Sequence, residues 1–402
     1  MANKRFLRIL FNVLVIVFGG LALWQFSFFR PYFGQPPAIT HRISGNQTGP
    51  EDSVVAAPGL RYQRNAFARF WLGDHNRQRW ATPVQVPVFR TGQPPHFFKI
   101  LKRGGGMQTI SFTLTDINGT AYALRSVDKN PVFALPPFAR YTLVRSFVQD
   151  QISAADPYAF LVVAELARGA GIRQTQPQVV FVMPGDPAFQ IFGIHKGGFF
   201  NLSQKYVEPS SLKQPNEKFT GFYTTLEMFH ILDRDPAASV ESAYYLKCRL
   251  FDLLISDWDR HAGQWDWLGF SGPKGTVFRP LPKDRDQALG YYEDGIIPAL
   301  LTSKIGIRKF TSFTEEYNDV EGFTHNGRQL DERFLKHLKR EQFIKTAKDL
   351  QLALTDMVLK NAVKQYPREV YPEAAPSIYR KLKARRDKLP EAALEFYKVY
   401  QD

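Results

Sequence analysis

Residues 256–267 read SDWDRHAGQWDW, the densest run of ionisable and amide side chains in the chain. Asp257, Asp259, Arg260, His261, Gln264 and Asp266 are interleaved there with Trp258, Trp265 and Trp267. The run just before it, VESAYYLKCRLFDLLIS (240–256), has the spacing of an apolar helix. The segment after it, TVFRPL (276–281), reads as a strand and leads into a second polar cluster, KDRDQ (283–287). Charges this concentrated are costly to bury unless they are paired or hold a cation. Two readings stay open at this point: an Asp/Arg network that braces two loops, or a site built from two acidic clusters.

Upstream, MQTISFTL (107–114) and TAYALRSV (120–127) alternate apolar and polar side chains around the turn residues Asp116–Gly119, which predicts a β-hairpin. YAFLVVAELAR (158–168) predicts a helix ended by Gly169 and Gly171, and QVVFVM (178–183) another strand. From about residue 220 the pattern turns helical: TTLEMFHILDR, then the 240–256 run, then several helices from about 329. Strands first and helices later predict an α+β protein with two unlike lobes.

The other end of the chain carries a different signal. Ile9–Phe29 is an apolar run whose clearly polar members are Asn12, Gln25 and Ser27, long enough to cross a bilayer as a helix. Lys4, Arg5 and Arg8 precede it and place the N-terminus in the cytoplasm. The expectation is a single-pass membrane protein with its main domain periplasmic or otherwise extracytoplasmic. Residues 1–8 form the basic cytoplasmic end, 9–29 the anchor, and 30–58, rich in Pro, Gly, Ser and Thr, a flexible linker. A β-rich lobe is expected over 59–196 and a helical lobe over 197–402. The single cysteine, Cys248, rules out an intramolecular disulfide and falls in an apolar helical pattern, so it reads as a core residue. A net charge of +14 raises the question of a nucleic-acid partner. No nucleic-acid-binding motif accompanies it, and many of the basic residues lie on C-terminal helical patterns such as SIYRKLKARRDKL, so no such partner is expected.

Several chemistries are missing. There is no HExxH, CxxC, GxxxxGK[ST] or GxSxG motif, and only His261 among the eight histidines sits in a carboxylate cluster. What the sequence does show is Asp259-Arg260-His261-x-x-Gln264, then a strand, then Asp286. That order resembles the catalytic and metal-binding segments of the atypical kinase-like folds: HipA-type kinases, type II phosphatidylinositol 4-kinases and secretory-pathway casein kinases. Gly104-Gly105-Gly106 is similar to their glycine-rich nucleotide loop, and Arg125 stands on the second strand where they carry a phosphate-contacting lysine. Asp128-Lys129-Asn130-Pro131 is similar to the lipid-kinase segment that follows. The chain also resembles a bacterial membrane-anchored family through RSVDK (125–129), LPP (135–137), QDQISA (149–154), DWDRHxxQWxW (257–267) and DRDQA (284–288). This second resemblance brings no activity with it.

The resemblance implies a two-lobed protein-kinase-like fold and a metal-dependent phosphotransferase, using ATP with Mg²⁺ or Mn²⁺ on a protein, lipid or saccharide hydroxyl. In it Asp259 would orient the acceptor and take its proton. Asp286, with Gln264 and Asp284, would hold the metal. Gly104, Gly105 and Gly106 would approach the phosphates, Arg125 or Lys129 would neutralise them, and Glu165 would pair with that cation. His261 would brace the loop. Two departures matter: Gln264 is neutral where the pattern has Asn or an acid, and Arg125 replaces Lys. They keep a non-catalytic envelope protein on the same fold, binding a nucleotide, polysaccharide or partner protein, as an alternative. A metal-dependent hydrolase using Asp257, Asp259 and Asp286 is a second one.

Overall fold

A computed structural model describes residues 11–20, 39–43, 52–92, 97–105, 108–141, 143–206, 214, 216–303 and 305–400. The N-terminal expectation is corrected first. The described helix there covers residues 11–20, ten residues. No helix among the described residues is long and apolar enough to cross a membrane. The single-pass anchor and the placement of the domain beyond a membrane therefore do not stand.

Within the stretch read as a linker, two strands form instead. β1 (Ile39–Ile43) and β2 (Ser53–Ala56) pair antiparallel, and β2 pairs in turn with β3 (Val84–Pro87). Val54, Ala56, Val84 and Val86 are fully buried and join the main core. Alternation over only four residues, set in a Pro/Gly/Ser background, is too brief to stand out in the sequence.

A five-stranded antiparallel sheet comes next, built from β4 (Lys99–Gly104), β5 (Ser111–Thr115), β6 (Ala121–Ser126), β7 (Gln178–Val182) and β8 (Gly198–Gln204) in the order β4-β5-β6-β8-β7. The predicted hairpin is β5–β6. Its turn is closed by Asp116 Oδ1, which accepts from the backbone N–H of Asn118 at 2.9 Å and of Thr120 at 2.8 Å. Phe112, Leu114, Leu124, Val180, Val182, Phe200 and Leu202 form the buried face, with Phe189 of the short helix Pro187–Gln190 packed in the same cluster. β8 belongs to this sheet although it lies past the boundary drawn at 196/197.

The predicted helix forms as Ala159–Gly169, and the next one as Thr225–Arg234 with a capping box between Thr224 and Glu227. The last sheet holds β9 (Lys218–Thr224), β10 (Ser239–Val240), β11 (Trp265–Gly272) and β12 (Gly275–Pro282) in the order β10-β12-β11-β9. Behind it stand the helix Ser242–Leu254 and a helical C-terminal third, including Arg340–Ala353 and the 29-residue Tyr371–Val399. The architecture is α+β, as the order of patterns predicted. Cys248 is fully buried in the Ser242–Leu254 helix, and burial pushes its thiol up to about 12.

Part of the positive charge is interior. Arg249, Arg260, Arg279, Arg285 and Arg385 are each 3% exposed or less. Arg385 lies on the basic C-terminal helical pattern SIYRKLKARRDKL, yet its guanidinium donates to the carbonyl oxygens of Leu253 at 2.6 Å and Leu254 at 2.8 Å. Those carbonyls end the Ser242–Leu254 helix, so a cation from the last helix caps them.

Candidate active site

The two acidic clusters, some twenty residues apart in sequence, meet because of one hairpin. β11 and β12 pair along their whole length, with Trp265 opposite Pro282. The loop entering β11 and the loop leaving β12 therefore emerge at the same end of the sheet. The Lys283 N–H donates to the Gln264 carbonyl at 2.9 Å, which carries the pairing one step past the strands.

Arg260 staples the two loops. It is fully buried, donates to the carbonyls of Lys283 at 2.6 Å and Gln264 at 3.1 Å, and faces Asp257 at 3.4 Å and Asp252 at 3.3 Å. Arg285 joins from the second loop, 3.2 Å from Asp252, and reaches Gln174 Oε1 at 2.7 Å. Burial pushes Asp257 up to about 7 against the pull of Arg260. The bracing network is thus real, and it is the foundation of the acidic cluster rather than an alternative to it. Ser256 (φ +53°), Asp284 (φ +49°) and Leu289 (φ +58°) all adopt left-handed backbone in these loops. For residues with a Cβ this costs on the order of 1 kcal/mol each, strain that only a well-braced loop holds.

A cavity of about 720 Å³ lies between these loops and the five-stranded sheet. Asp259, Gln264, Asp284, Asp286, Arg125, Lys129 and Gly105 are among its lining residues. Its remaining wall is largely apolar, with Phe147, Val148, Trp258, Leu301 and Phe310 among the lining residues. Lys129 Nζ stands 2.7 Å from Asp286 Oδ2, and Arg125 Nε 3.8 Å from Asp284 Oδ2. The carboxyl of Asp286 is pushed up by burial and by neighbouring Asp284, against Lys129. For Asp284 burial acts in the same upward sense, but Arg125, Lys129, Arg260 and Lys283 together outweigh it and hold the group below its ordinary value. Burial disfavours the charged form of Lys129, yet Asp286, Asp284 and Asp259 raise it overall. Lys129 is held by Gln149, whose Nε2 donates to the Lys129 carbonyl at 3.0 Å and to Tyr62 Oη at 2.9 Å. Tyr62 Oη donates in turn to Asp128 at 2.6 Å.

The sequence-predicted residues divide as follows. Asp259, Gln264, Asp284, Asp286, Arg125, Lys129 and Gly105 come together around one cavity. Gly104 ends β4 and is not among the lining residues. Gly106 falls outside the described residues. Glu165 is elsewhere: it pairs with Arg168 one turn along its own helix, and the acid beside Lys129 is Asp286. The expected Glu165 pairing with the phosphate cation is therefore not made. His261 Nδ1 accepts from the Gly263 N–H at 3.0 Å and caps the turn Ala262–Gln264, a bracing role.

Sequence reading missed Asn326, whose Nδ2 donates to Asp259 Oδ1 at 3.1 Å. It also missed Tyr292, whose hydroxyl donates to Gln287 Oε1 at 3.1 Å, while Gln287 Nε2 donates to Asp286 Oδ1 at 3.2 Å. Neither carries a motif. Among the described residues no group of three or more His, Cys, Asp or Glu side chains is placed to hold a metal ion. Two carboxylates and an amide oxygen, from Asp284, Asp286 and Gln264, are hard donors suited to Mg²⁺ or Mn²⁺ once phosphate oxygens and water complete the shell.

No family model matches the chain. None of the curated proteins compared with it matches either. Among solved structures, a Helicobacter pylori proinflammatory kinase, CtkA, aligns with a TM-score of 0.38 and 10% identity, over 78% of this chain and 99% of that one. A superposition that loose does not carry the neighbour's chemistry across.

Proposed function

We propose that this protein is a kinase-type phosphotransferase that moves the terminal phosphate of a nucleotide onto a hydroxyl acceptor. The observation that carries the reading is the convergence on one cavity of Asp259, the Asp284/Asp286 pair, two cations and a glycine turn. Phosphoryl transfer needs little covalent participation from the protein; it needs positioning and charge neutralisation. Asp259 orients the acceptor hydroxyl and takes its proton as the oxygen attacks phosphorus. The bond from phosphorus to the bridging oxygen breaks, and the nucleoside diphosphate leaves. Lys129, with Arg125 beside it, balances phosphate charge, and its contact with Asp286 fixes it at the cation position. Asp284, Asp286 and Gln264 would hold a divalent ion, which supplies charge neutralisation between the phosphates. Gly105 (φ +117°) lets the β4–β5 turn close tightly at the rim: a Cβ there would lie 2.3 Å from the Thr109 carbonyl oxygen.

The test is thermal unfolding of the full chain with and without millimolar ATP and Mn²⁺, beside Asp286→Ala. Ligand at about 100 times its dissociation constant adds about 2.7 kcal/mol. A shift in the parent that Asp286→Ala abolishes is the expected result, followed by transfer of labelled phosphate. A well-folded parent with no shift under any nucleotide would refute the reading and leave a binding protein on this fold.

A further inference from the structure

Asn326 stands on the turn His325–Gly327, 67 positions beyond Asp259, and reaches it directly: Nδ2 to Oδ1, 3.1 Å. The other end of the amide is also engaged, since Lys309 Nζ lies 3.5 Å from Asn326 Oδ1. An ammonium only donates, so the amide oxygen faces Lys309 and the amide nitrogen faces the carboxylate. The two contacts agree on one orientation. Lys309 is itself aligned by two cleft-lining rings, 5.0 Å from the Trp258 centroid and 5.4 Å from that of Phe310.

The turn that carries Asn326 is fixed from below. A Cβ on the next residue, Gly327, would lie 2.6 Å from Arg249 Nη2 and 3.0 Å from Asp331 Oδ2. The backbone is thus pressed onto a buried ion pair, Arg249 Nε to Asp331 Oδ1 at 2.8 Å, which Tyr400 joins through Asp331 Oδ2 at 2.9 Å. Asn326 is held by the core and aims at the reacting group.

Resting on the phosphotransfer reading, we infer that Asn326 is a positioning residue for Asp259, itself oriented by Lys309. Its bond occupies Oδ1, on the side where His261 Nε2 stands 3.9 Å away. Oδ2 is then the oxygen that meets the acceptor hydroxyl. The charged and titratable groups acting on Asp259 from the surrounding elements are Asp257, Arg260, His261, Asp286, Lys129 and Tyr292. Asn326 is neutral and donates directly to Oδ1, so it can orient the carboxylate without neutralising it.

Three full-chain variants test this. Asn326→Leu removes the donor at similar volume and should lower kcat about 100-fold with the KM for nucleotide unchanged. Lys309→Met should lower kcat by a smaller factor, about 3- to 10-fold, because the amide keeps its place and loses only its alignment. Asn326→Asp sets a second carboxylate against Asp259 and should move the acidic midpoint of the pH–rate profile up by about one unit. Unchanged kcat in Asn326→Leu, or an effect confined to KM, would overturn the inference. Carboxyl-carbon NMR titration of the same Asp259 in the parent and in Asn326→Asp needs no turnover. An identical curve in both would sink the assignment even if phosphate transfer fails for other reasons, while nucleotide-dependent stabilisation judges the transfer reading separately.

Discussion

Replacing Arg260 by methionine tests the claim that one buried cation holds the two acidic loops together. Methionine keeps an apolar stem against Trp265, over which the guanidinium carbon now sits 4.8 Å from the ring centroid. What is lost is the donor set: bonds to the carbonyls of Lys283 and Gln264 and the pairing with Asp252 and Asp257. Asp252 keeps Arg249 and Arg285, but the two carbonyls lose charged donors at about 1–3 kcal/mol each. A total of about 3–5 kcal/mol follows, the range for removing one partner from a buried ion pair. The pH dependence is the sharper test. Asp257 titrates near 7 in the native parent, well above its unfolded value. Its favourable share of stability is therefore full below the unfolded value of about 3.9, is lost as pH rises from there to about 7, and is constant above that. Without Arg260 the group keeps its proton to higher pH. Below pH 7 both native states are protonated and the penalty is constant. Above it only the parent's native state releases the proton, so the penalty grows by about 1.4 kcal/mol per pH unit. Urea unfolding of parent and variant at pH 6, 7 and 8 reads both quantities. A penalty below about 1 kcal/mol, or one that stays flat from pH 6 to pH 8, would refute the account.

Two further outcomes are expected. Gly105→Ala should cost about 1–3 kcal/mol and weaken nucleotide stabilisation, because its φ of +117° and the Thr109 carbonyl leave no room for a Cβ; an unchanged melting curve counts against the turn geometry. His75 contributes a pH term of its own. Burial, with Arg77, holds its value well below the ordinary one, while its Nδ1 lies 2.9 Å from Ser153 Oγ and its Nε2 3.3 Å from Asp294 Oδ1. The folded state therefore favours neutral His75, a stability present above the unfolded value of about 6.5 and lost as pH falls below it. His75→Gln should flatten that acid loss in a series of denaturant melts, and a parent-like slope would exclude the assignment.

How much of this was legible follows from how far each interaction reaches. The β5–β6 hairpin and the Ala159–Gly169 helix announce themselves because their alternation or periodicity is written in consecutive residues. The acidic site was legible because a hairpin joins its halves: Ser256–Trp267 and Lys283–Gln287 flank β11 and β12, and antiparallel pairing returns the chain to its starting edge. Lys129 and Arg125 were both named from the sequence, but which acid each would face was not, since the choice depends on how the sheet docks on the loops. Glu165 looked suitable by position on its helix, yet Arg168 lies three residues away and pairs with it locally. Asn326 comes from a turn between helices and bears no pattern of its own. The N-terminal run is apolar enough in sequence to suggest a span, but no helix among the described residues is long and apolar enough to cross a membrane.

Arg385 has a consequence for the order in which the molecule becomes complete. It caps the carbonyls of Leu253 and Leu254, immediately before the loop that carries Asp257 and Asp259. On a ribosome, both sheets that flank the cleft are finished some hundred residues before this guanidinium appears. Until then the Leu254 carbonyl lacks its side-chain donor, and the Leu253 carbonyl is left to backbone N–H donors such as that of Ser256. A nascent chain would thus have its strands before it has the cap that the last helix places at the root of the cleft loop.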